Sequence, residues 1–404
     1  MPAVNQMYSV LNDINAQMFG AEAIDVHDLS GLISMGKQVL STSDNTELFF
    51  NKLIDRIGRT VVRTLDLELD FPELFRDEYE FGCILQKITI NPFTARPNSS
   101  WAVTEGGFTP TLLDGDVADI VVTYFTDFDS WSFQAKLPSN QIMMTAFTDE
   151  TTMGAFMAGI TESMTDSMTI SLNNMARTAI NNFIAEKILA NNGIIKPMEL
   201  WNDTHIGSEI YEADTALYNK EFVRFLIMTV SKYIKYMSQA SVLYNCGVDD
   251  GNGGTKQIVR ATARDNMHVL FLTEAITSIR ALLESDTWNR EFLDMPLYKE
   301  VGFWQGDYSA TGTNTFDEVS TINVIPSSQK DEDDPSEVEQ SGIICALIDR
   351  QAVAVGLNKR RNAAFYNPID DYTVVKSEAS LQYINDLTEN GVIFVLEDIE
   401  EPEP

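Results

Sequence analysis

The chain has 404 residues, of which 28 are Lys or Arg and 60 are Asp or Glu, so its formal net charge is −32. Hydrophobic residues make up 44% of the sequence, enough to build a core, which argues against global disorder. This negative charge repels phosphate groups and anionic lipids, so nucleic acid is a poor main ligand and an anionic membrane surface is disfavoured. No uncharged apolar run approaches the ~20 residues that a membrane-spanning helix needs.

The amino-terminal segment and the cysteines indicate the cellular context. The three cysteines, Cys83, Cys246 and Cys345, lie far apart and form no CxxC motif, which fits a reducing compartment. The amino terminus lacks the basic start and the apolar segment of a signal peptide. Residues 1–48 form a polar segment with short helical pieces and few apolar residues. We therefore expect this segment to lie on another part of the protein or to be mobile.

An amphipathic helix is predicted over residues 46–64. Phe49, Leu53, Ile57 and Val61 recur at a spacing of four, which places them on one helical face. A face of this kind usually packs against the core of a domain, and we expect the same here.

Residues 76–137 are rich in β-forming residues at both ends. Two segments, 83–91 and 120–137, flank a stretch that is rich in Gly, Pro, Asn and Ser. Two long strands joined by a long turn predict a projecting β-arm, which cannot bury both of its faces by itself. We expect a neighbouring surface to cover the apolar side chains near the predicted tip. Those side chains are Phe93, Trp101 and Phe108.

The longest periodic segment covers residues 149–192. It contains no proline, its apolar residues recur at spacings of three to five, and it ends at Asn191-Asn192-Gly193, a typical helix stop. A continuous helix of this length would extend for ~60 Å. We expect it to be a spine beneath a sheet or a helix that binds a partner. Residues 219–244 predict another long helix.

The last third of the chain is dominated by strands. Val269–Leu283 predicts a strand that runs into a helix, and Ser320–Pro326 and Gly342–Asp349 predict two further strands. Residues 371–398 predict at least two more, with Glu389-Asn390-Gly391 as a turn. Helices and strands come in separate runs, which favours an α+β fold.

No pattern in the sequence is typical of an enzyme. The glycine-rich nucleotide motifs, the nucleophile elbow and the zinc-protease motif are all absent. The segment 249–254 resembles a calcium loop only superficially, because it lacks the spaced oxygen ligands and the closing Glu. The acidic pairs Asp127/Asp129 and Glu68/Asp70 are more typical of a solvated surface, and nothing around Cys246 and His268 indicates an activated thiol. We therefore predict no catalytic residue, no cofactor and no metal site.

Lys359, Arg360 and Arg361 form the single concentrated basic cluster of the sequence. Such a cluster could contact an anion, or it could form ion pairs with acidic segments of the same or a neighbouring subunit. The charge of −32 favours the ion pairs.

The order of the elements is itself distinctive: a leader, a long β-arm, a long helix, a compact body and closing strands. In this order the chain resembles the major capsid proteins of tailed bacteriophages of the Hong-Kong-ninety-seven type, and within them those of small podophages of the phi-twenty-nine type. Residues 49–65, 322–357 and 360–396 carry the resemblance. It implies an α+β fold with an N-terminal arm, an extended β-hairpin arm (E-loop), a long spine helix, and peripheral and axial domains. The implied divisions are the N-terminal arm at 1–48, the extended β-arm at 76–137, the axial domain at 219–364, and the peripheral domain at 49–75, 138–218 and 365–404 with the spine helix at 149–192.

The resemblance also implies a function. Such proteins form pentamers and hexamers of an icosahedral shell that encloses double-stranded DNA without sequence-specific binding. The chain would assemble in the host cytoplasm, without contact to a membrane, and would be part of the capsid of the virion. Its assembly would involve a separate scaffolding protein and a portal. Three alternatives stay open at this point: an encapsulin-like compartment shell with an enzyme cargo, a portal or tail protein, and an acidic intracellular hydrolase.

Removing the apolar side chains near the arm tip tests the predicted role of the arm. We expect the double variant Trp101→Ser/Phe108→Ser to fold normally but to assemble poorly, because these side chains are predicted to be buried only against a neighbour. Circular dichroism would measure folding and electron microscopy would measure shell formation. Normal shells of normal stability would contradict the prediction.

Overall fold

The computed structural model describes most of the chain. The described residues are 4–42, 45, 48–49, 52, 69–76, 85–92, 120–125, 128–137, 150–249, 255–283, 298–305, 316–330, 335–367 and 372–400. Contacts divide the chain into a first unit (1–81, 128–176 and 355–383) and a second unit (82–127, 177–354 and 384–404). The boundaries of an N-terminal arm, an E-loop and peripheral and axial domains stay a prediction.

Helices and strands come in long separate runs, as expected for an α+β fold. The helices are α1 (Val4–Phe19), α2 (Leu29–Val39), α3 (Glu150–Leu189), α4 (Pro197–Asn202), α5 (Ala213–Ala216), α6 (Lys220–Met237), α7 (Thr273–Leu283) and α8 (Phe316–Ser320). The strands are β1 (Phe75–Arg76), β2 (Leu85–Ile90), β3 (Ile120–Phe125), β4 (Phe128–Leu137), β5 (Ile194–Ile195), β6 (Val248–Asp249), β7 (Thr255–Lys256), β8 (Met267–Leu272), β9 (Tyr298–Val301), β10 (Ile322–Val324), β11 (Val338–Gln340), β12 (Ile343–Asp349), β13 (Val353–Asn367), β14 (Tyr372–Asn385) and β15 (Gly391–Val395).

The leader of the first unit forms two helices, α1 and α2. The Asn12 amide donates to the carbonyl of Val26 at 3.0 Å, and its oxygen accepts from the Val26 N–H at 2.7 Å, which fixes the connection. Asp28 caps α2 by accepting from the N–H of Gly31 at 2.7 Å. The leader is packed, because its apolar side chains are buried at Tyr8, Leu11, Ile14, Val26, Leu32, Met35 and Val39. Of the helix predicted over 46–64, the structure describes only Leu48, Phe49 and Lys52, and all three are helical. Asn45, just before this range, is helical as well.

A four-stranded sheet with the order β1-β13-β14-β4 belongs to the first unit. β4 runs antiparallel to β14, from Leu137 opposite Thr373 to Phe128 opposite Gln382. The single strand predicted over 120–137 is therefore two strands, β3 and β4. The backbone of β4 forms its hydrogen bonds with β14. Only β3 pairs with β2 to form the described part of the arm.

The long helix predicted over 149–192 is present as α3, a helix of 40 residues, which corresponds to ~60 Å, while its role as a spine stays a prediction. It ends where the sequence predicts a stop: Asn191 and Gly193 have positive φ values of 47° and 72°. A side chain at Gly193 would lie 2.4 Å from the carbonyl oxygen of Gly391, so this close approach requires glycine. No helix in the described part of the chain is long and apolar enough to cross a membrane.

The core of the second unit is a five-stranded sheet with the order β5-β15-β12-β8-β9. Every residue of the central strand β12 is buried, and β12 runs antiparallel to both β15 and β8. Its sequence is an apolar run because both faces are covered. Cys345 lies in this strand, where burial raises the pKa of its thiol, so the cysteine packs as a hydrophobic residue.

The helix predicted over 219–244 is α6, which ends earlier, at Met237. Its first turn is capped by Asn219, whose side-chain oxygen accepts from the N–H groups of Glu221 and Phe222 at 3.0 and 3.3 Å. One side of the helix packs into the second unit through Phe222, Leu226 and other buried residues. The chain then continues as a loop to Cys246, whose N–H donates to the carbonyl of Leu387 at 2.9 Å.

Charges introduced into β12 test the assignment of the core. Ile344 and Leu347 are fully buried, so either Ile344→Asp or Leu347→Asp should abolish folding, because a buried unpaired charge costs several kcal/mol. Ile344→Val should cost only about 1 kcal/mol and serves as the control. Solubility and circular dichroism would be measured, and a well-folded Asp variant would show that the strand is assigned wrongly.

Candidate functional site: the root of the β-arm

The two-stranded ribbon of β2 and β3 exposes its apolar side chains. Gln86, Ile88 and Ile90 pair with Tyr124, Val122 and Ile120 in the antiparallel register, so these six residues share one face. Ile88 and Tyr124 are both 61% exposed. On the opposite face Thr89, Val121 and Phe125 are buried. The ribbon thus presents an apolar face to the outside; we call it the ribbon face and define it by Ile88, Ile90, Ile120, Val122 and Tyr124.

The inner face of the ribbon is held by a buried ion pair at Lys87. Its ammonium group donates to the carboxylates of Asp386 and Glu389, which are 1% and 8% exposed. Asp386 also accepts from the N–H of Thr388 at 3.0 Å and from its hydroxyl at 2.6 Å. The turn before β15 is therefore shaped to hold two carboxylates against one strand of the arm.

Arg260 adds a second cation to this site. Its Nη2 donates to the hydroxyl of Thr89 at 2.8 Å and lies 3.3 Å from Oε1 of Glu389, and its Nε donates to the carbonyl of Thr388 at 3.1 Å. Burial raises the pKa of Glu389 more than Lys87 and Arg260 lower it. The site carries two cations and two carboxylates in close contact, which offsets part of the cost of burying them.

Asn91 makes the third attachment of β2. Its amide donates to the carbonyl of Gln257 at 3.0 Å, and its oxygen accepts from the N–H of Val259 at 3.3 Å. Lys87, Thr89 and Asn91 are alternate residues, so all three point to the same side of the strand. Each of them is bonded to another part of the second unit, and together they fix the root of the predicted arm.

A second layer of hydrogen bonds connects the arm root with the end of β12. The Thr262 hydroxyl donates to Oδ2 of Asp349 at 2.6 Å and accepts from the amide of Asn390 at 3.1 Å. The N–H of Asp349 donates to the carbonyl of Asn390 at 3.0 Å. Because these groups are buried and mutually bonded, the root has a defined position on the core of the second unit.

The site residues predicted from the sequence differ from those of the arm root. Phe93, Trp101 and Phe108 lie outside the described residues, so their role at the arm tip stays a prediction. Lys359, Arg360 and Arg361 lie in β13, but their side chains are also outside the described part, and their ion pairs stay a prediction.

The chemical alternatives gain no support from the described residues. Burial raises the pKa of the Cys246 thiol, which disfavours the reactive thiolate. His268 lies in β8, opposite Ile348 of β12. Among the residues that the structure describes, no group of three or more His, Cys, Asp or Glu side chains could hold a metal ion.

Removing the cation at the arm root tests whether the ion pair carries stability. We expect Lys87→Met to lower the free energy of unfolding by about 3–5 kcal/mol at pH 7.5, because it leaves two buried carboxylates without their main partner. A carboxyl group whose pKa is raised in the folded state contributes stability that is present at acid pH and is lost as the pH rises through that pKa. The deficit of Lys87→Met should therefore be smaller at pH 5 than at pH 7.5, as measured by denaturant unfolding.

The matched control for this prediction is Lys196→Met. Lys196 pairs with Glu397 at 2.7 Å, but both side chains are at least one-third exposed, so the loss should be about 0–1 kcal/mol. Equal losses for the two variants would contradict the role of the arm root.

Solved structures with the same fold come from tailed phages. A chain in the capsid structure of Staphylococcus phage Andhra superposes with a TM-score of 0.52 at 13% identity, covering 80% of this chain and 83% of that one. A chain in the structure of the head fiber and inner core protein gp22 of native bacteriophage P68 gives a TM-score of 0.53 at 12% identity, covering 82% and 85%. At these identities the likeness concerns the fold alone.

The family is given by the sequence comparison. No curated protein matches the chain. A family model for the Phi29-like phage major capsid protein, however, matches residues 9–395, nearly the whole length. The resemblance inferred from the order of the elements is confirmed, and so is the α+β capsid fold of the Hong-Kong-ninety-seven type. The chain belongs to the Phi29-like phage major capsid protein family and is a structural component of the virion shell.

Proposed function

We propose that the protein forms the pentamers and hexamers of an icosahedral shell around double-stranded phage DNA, and that the ribbon face is one of its intersubunit contacts. The observation that carries the proposal is the exposure of five apolar side chains on a ribbon whose opposite face is fixed. The ribbon face is made by Ile88, Ile90, Ile120, Val122 and Tyr124.

A rigid, exposed apolar face makes association with a partner that covers it favourable. The ribbon cannot fold back to bury these side chains, because Lys87, Thr89 and Asn91 hold its other side to the rest of the second unit. Burying apolar surface contributes about 25 cal/mol per Å², so a neighbouring subunit that covers the face stabilises the assembly. Little conformational entropy is lost in the process, since the ribbon is already ordered.

The charge of the chain fits an enclosure for DNA that does not bind it. A net charge of −32 repels the phosphate backbone, so packaged DNA is free to move along the inner wall. The proposal includes a scaffolding protein and a portal as transient partners during assembly, and it includes no enzymatic activity.

Expression of the full chain, alone and together with the other head proteins of its phage, tests the proposal. We expect closed shells with pentameric and hexameric units in electron microscopy, and DNA inside the particles from infected cells. Particles that enclose a cellular enzyme in place of DNA would overturn the assignment to a phage shell, and a discrete small oligomer under every condition would overturn shell formation.

A polar substitution on the ribbon face tests its role as a contact. We expect Ile88→Thr/Ile90→Thr to fold with nearly unchanged stability, because both positions are exposed and threonine retains the β-propensity of isoleucine. The subunit concentration needed for shells should rise about tenfold or more, because apolar contact area is lost. Light scattering during assembly would measure it.

Ile206→Thr is the matched control, since Ile206 is 90% exposed but lies outside the ribbon. If the ribbon variant assembles like the control, the ribbon face is not an intersubunit contact.

A further inference from the structure

The second unit carries a compact group of aromatic side chains at the end of α6 and in the loop that follows. The ring of Tyr233 lies 5.8 Å from that of Tyr236 and 6.2 Å from that of Tyr244, with the rings edge to face. Tyr236 is 45% exposed and Leu243 is 65% exposed. We call Tyr233, Tyr236, Leu243 and Tyr244 the tyrosine patch.

The tyrosine patch is attached to the core of the second unit. Tyr233 packs edge to face on Phe394, a fully buried residue of β15, at 5.7 Å. The backbone carbonyl of Tyr244 accepts from the N–H of Gly391 at 2.9 Å and from Nζ of Lys187 at 2.7 Å. Because its base is fixed, the patch would lose little conformational entropy on binding. Tyrosine is also one of the residue types that are enriched among the energetic hot spots of protein interfaces.

Positive charge borders the patch. Helix α6 contains four basic residues and only one acidic residue, in a chain with 28 basic and 60 acidic residues. Lys232 and Lys235, which flank Tyr233 and Tyr236, are exposed. Within the described part of the chain, neither lysine has an ion-pair partner. The surface therefore combines apolar contact area with charge that is not neutralised locally.

This combination fits a protein partner with acidic groups. A second copy of the same chain carries 60 acidic residues against 28 basic ones, so it can offer an acidic segment of complementary charge. Nucleic acid fits less well, because the two lysines at the patch can neutralise only a few phosphates of a nucleic-acid backbone.

We propose that the tyrosine patch, with Lys232 and Lys235, binds an acidic segment of a second copy of this chain. The inference rests on the proposed shell function and adds a contact that is separate from the ribbon face. The tyrosines would supply the apolar contact, and the two lysines would set the register against the acidic segment.

Photo-crosslinking from the patch identifies its occupant. A benzoylphenylalanine is placed at Tyr236, and shells are assembled from equal amounts of this chain and of a heavy-nitrogen-labelled wild-type chain. We expect cross-linked peptide pairs that join a light and a heavy chain, with the heavy peptide rich in Asp and Glu. Cross-links only within one light chain, to another virion protein or to DNA would overturn the proposal.

Charge reversal gives an independent measurement. Lys232→Glu/Lys235→Glu should raise the subunit concentration needed for shells about tenfold, through repulsion of the acidic segment. Lys232→Arg/Lys235→Arg should assemble as the wild type does. The control Lys37→Glu/Arg350→Glu makes the same change in net charge at exposed positions that lie outside α6 and the loop after it, and it should have a much smaller effect.

The outcomes separate the two proposals. If the wild type forms shells and the patch variant assembles like its control, the tyrosine patch is not a contact and the shell function stands. If the wild type forms no shells with any head protein of its phage, the shell function itself fails.

Discussion

The contact between Lys87 and the carboxylates of Asp386 and Glu389 fixes the β2–β3 ribbon within the second unit. Charged groups at this depth are costly unless each has a partner, so they tolerate few alternative arrangements. Together with Arg260 and Asn91, they hold β2 so that Ile88 and Ile90 face outward. The exposure of the ribbon face is therefore a consequence of the buried charges beneath it.

The structure uses two opposite ways of placing apolar residues. In β12 every side chain is buried, and the strand forms the centre of a sheet that holds the second unit together. In the ribbon the apolar residues lie outside, where they contribute nothing to the stability of the subunit that carries them. A soluble monomer would usually avoid such a face. In the shell function proposed here, the same face would contribute stability only when copies of the chain meet.

The sequence predicts the long elements well and the arm root poorly. The period of α3 and the apolar run of β12 are signals within one segment, and both elements appear close to their predicted ends. The alternation of polar and apolar residues in β2 is also visible, but it normally indicates a strand with its polar side in water. In the structure the polar side faces inward, because Lys87 donates to the carboxylates of Asp386 and Glu389. These two residues lie about 300 residues further along the chain. A pairing over that distance leaves no local pattern.

If the ribbon face is the proposed intersubunit contact, it also affects the rate of assembly. Its apolar side chains are exposed as soon as a subunit has folded, so each new subunit is adhesive before its proper neighbour arrives. Weak contacts that form and break quickly allow misplaced subunits to leave, whereas strong early contacts trap them in disordered aggregates. A face of only five side chains on a two-stranded ribbon keeps each contact weak. Growth of an ordered particle then depends on many such contacts closing together, which favours slow nucleation followed by rapid completion.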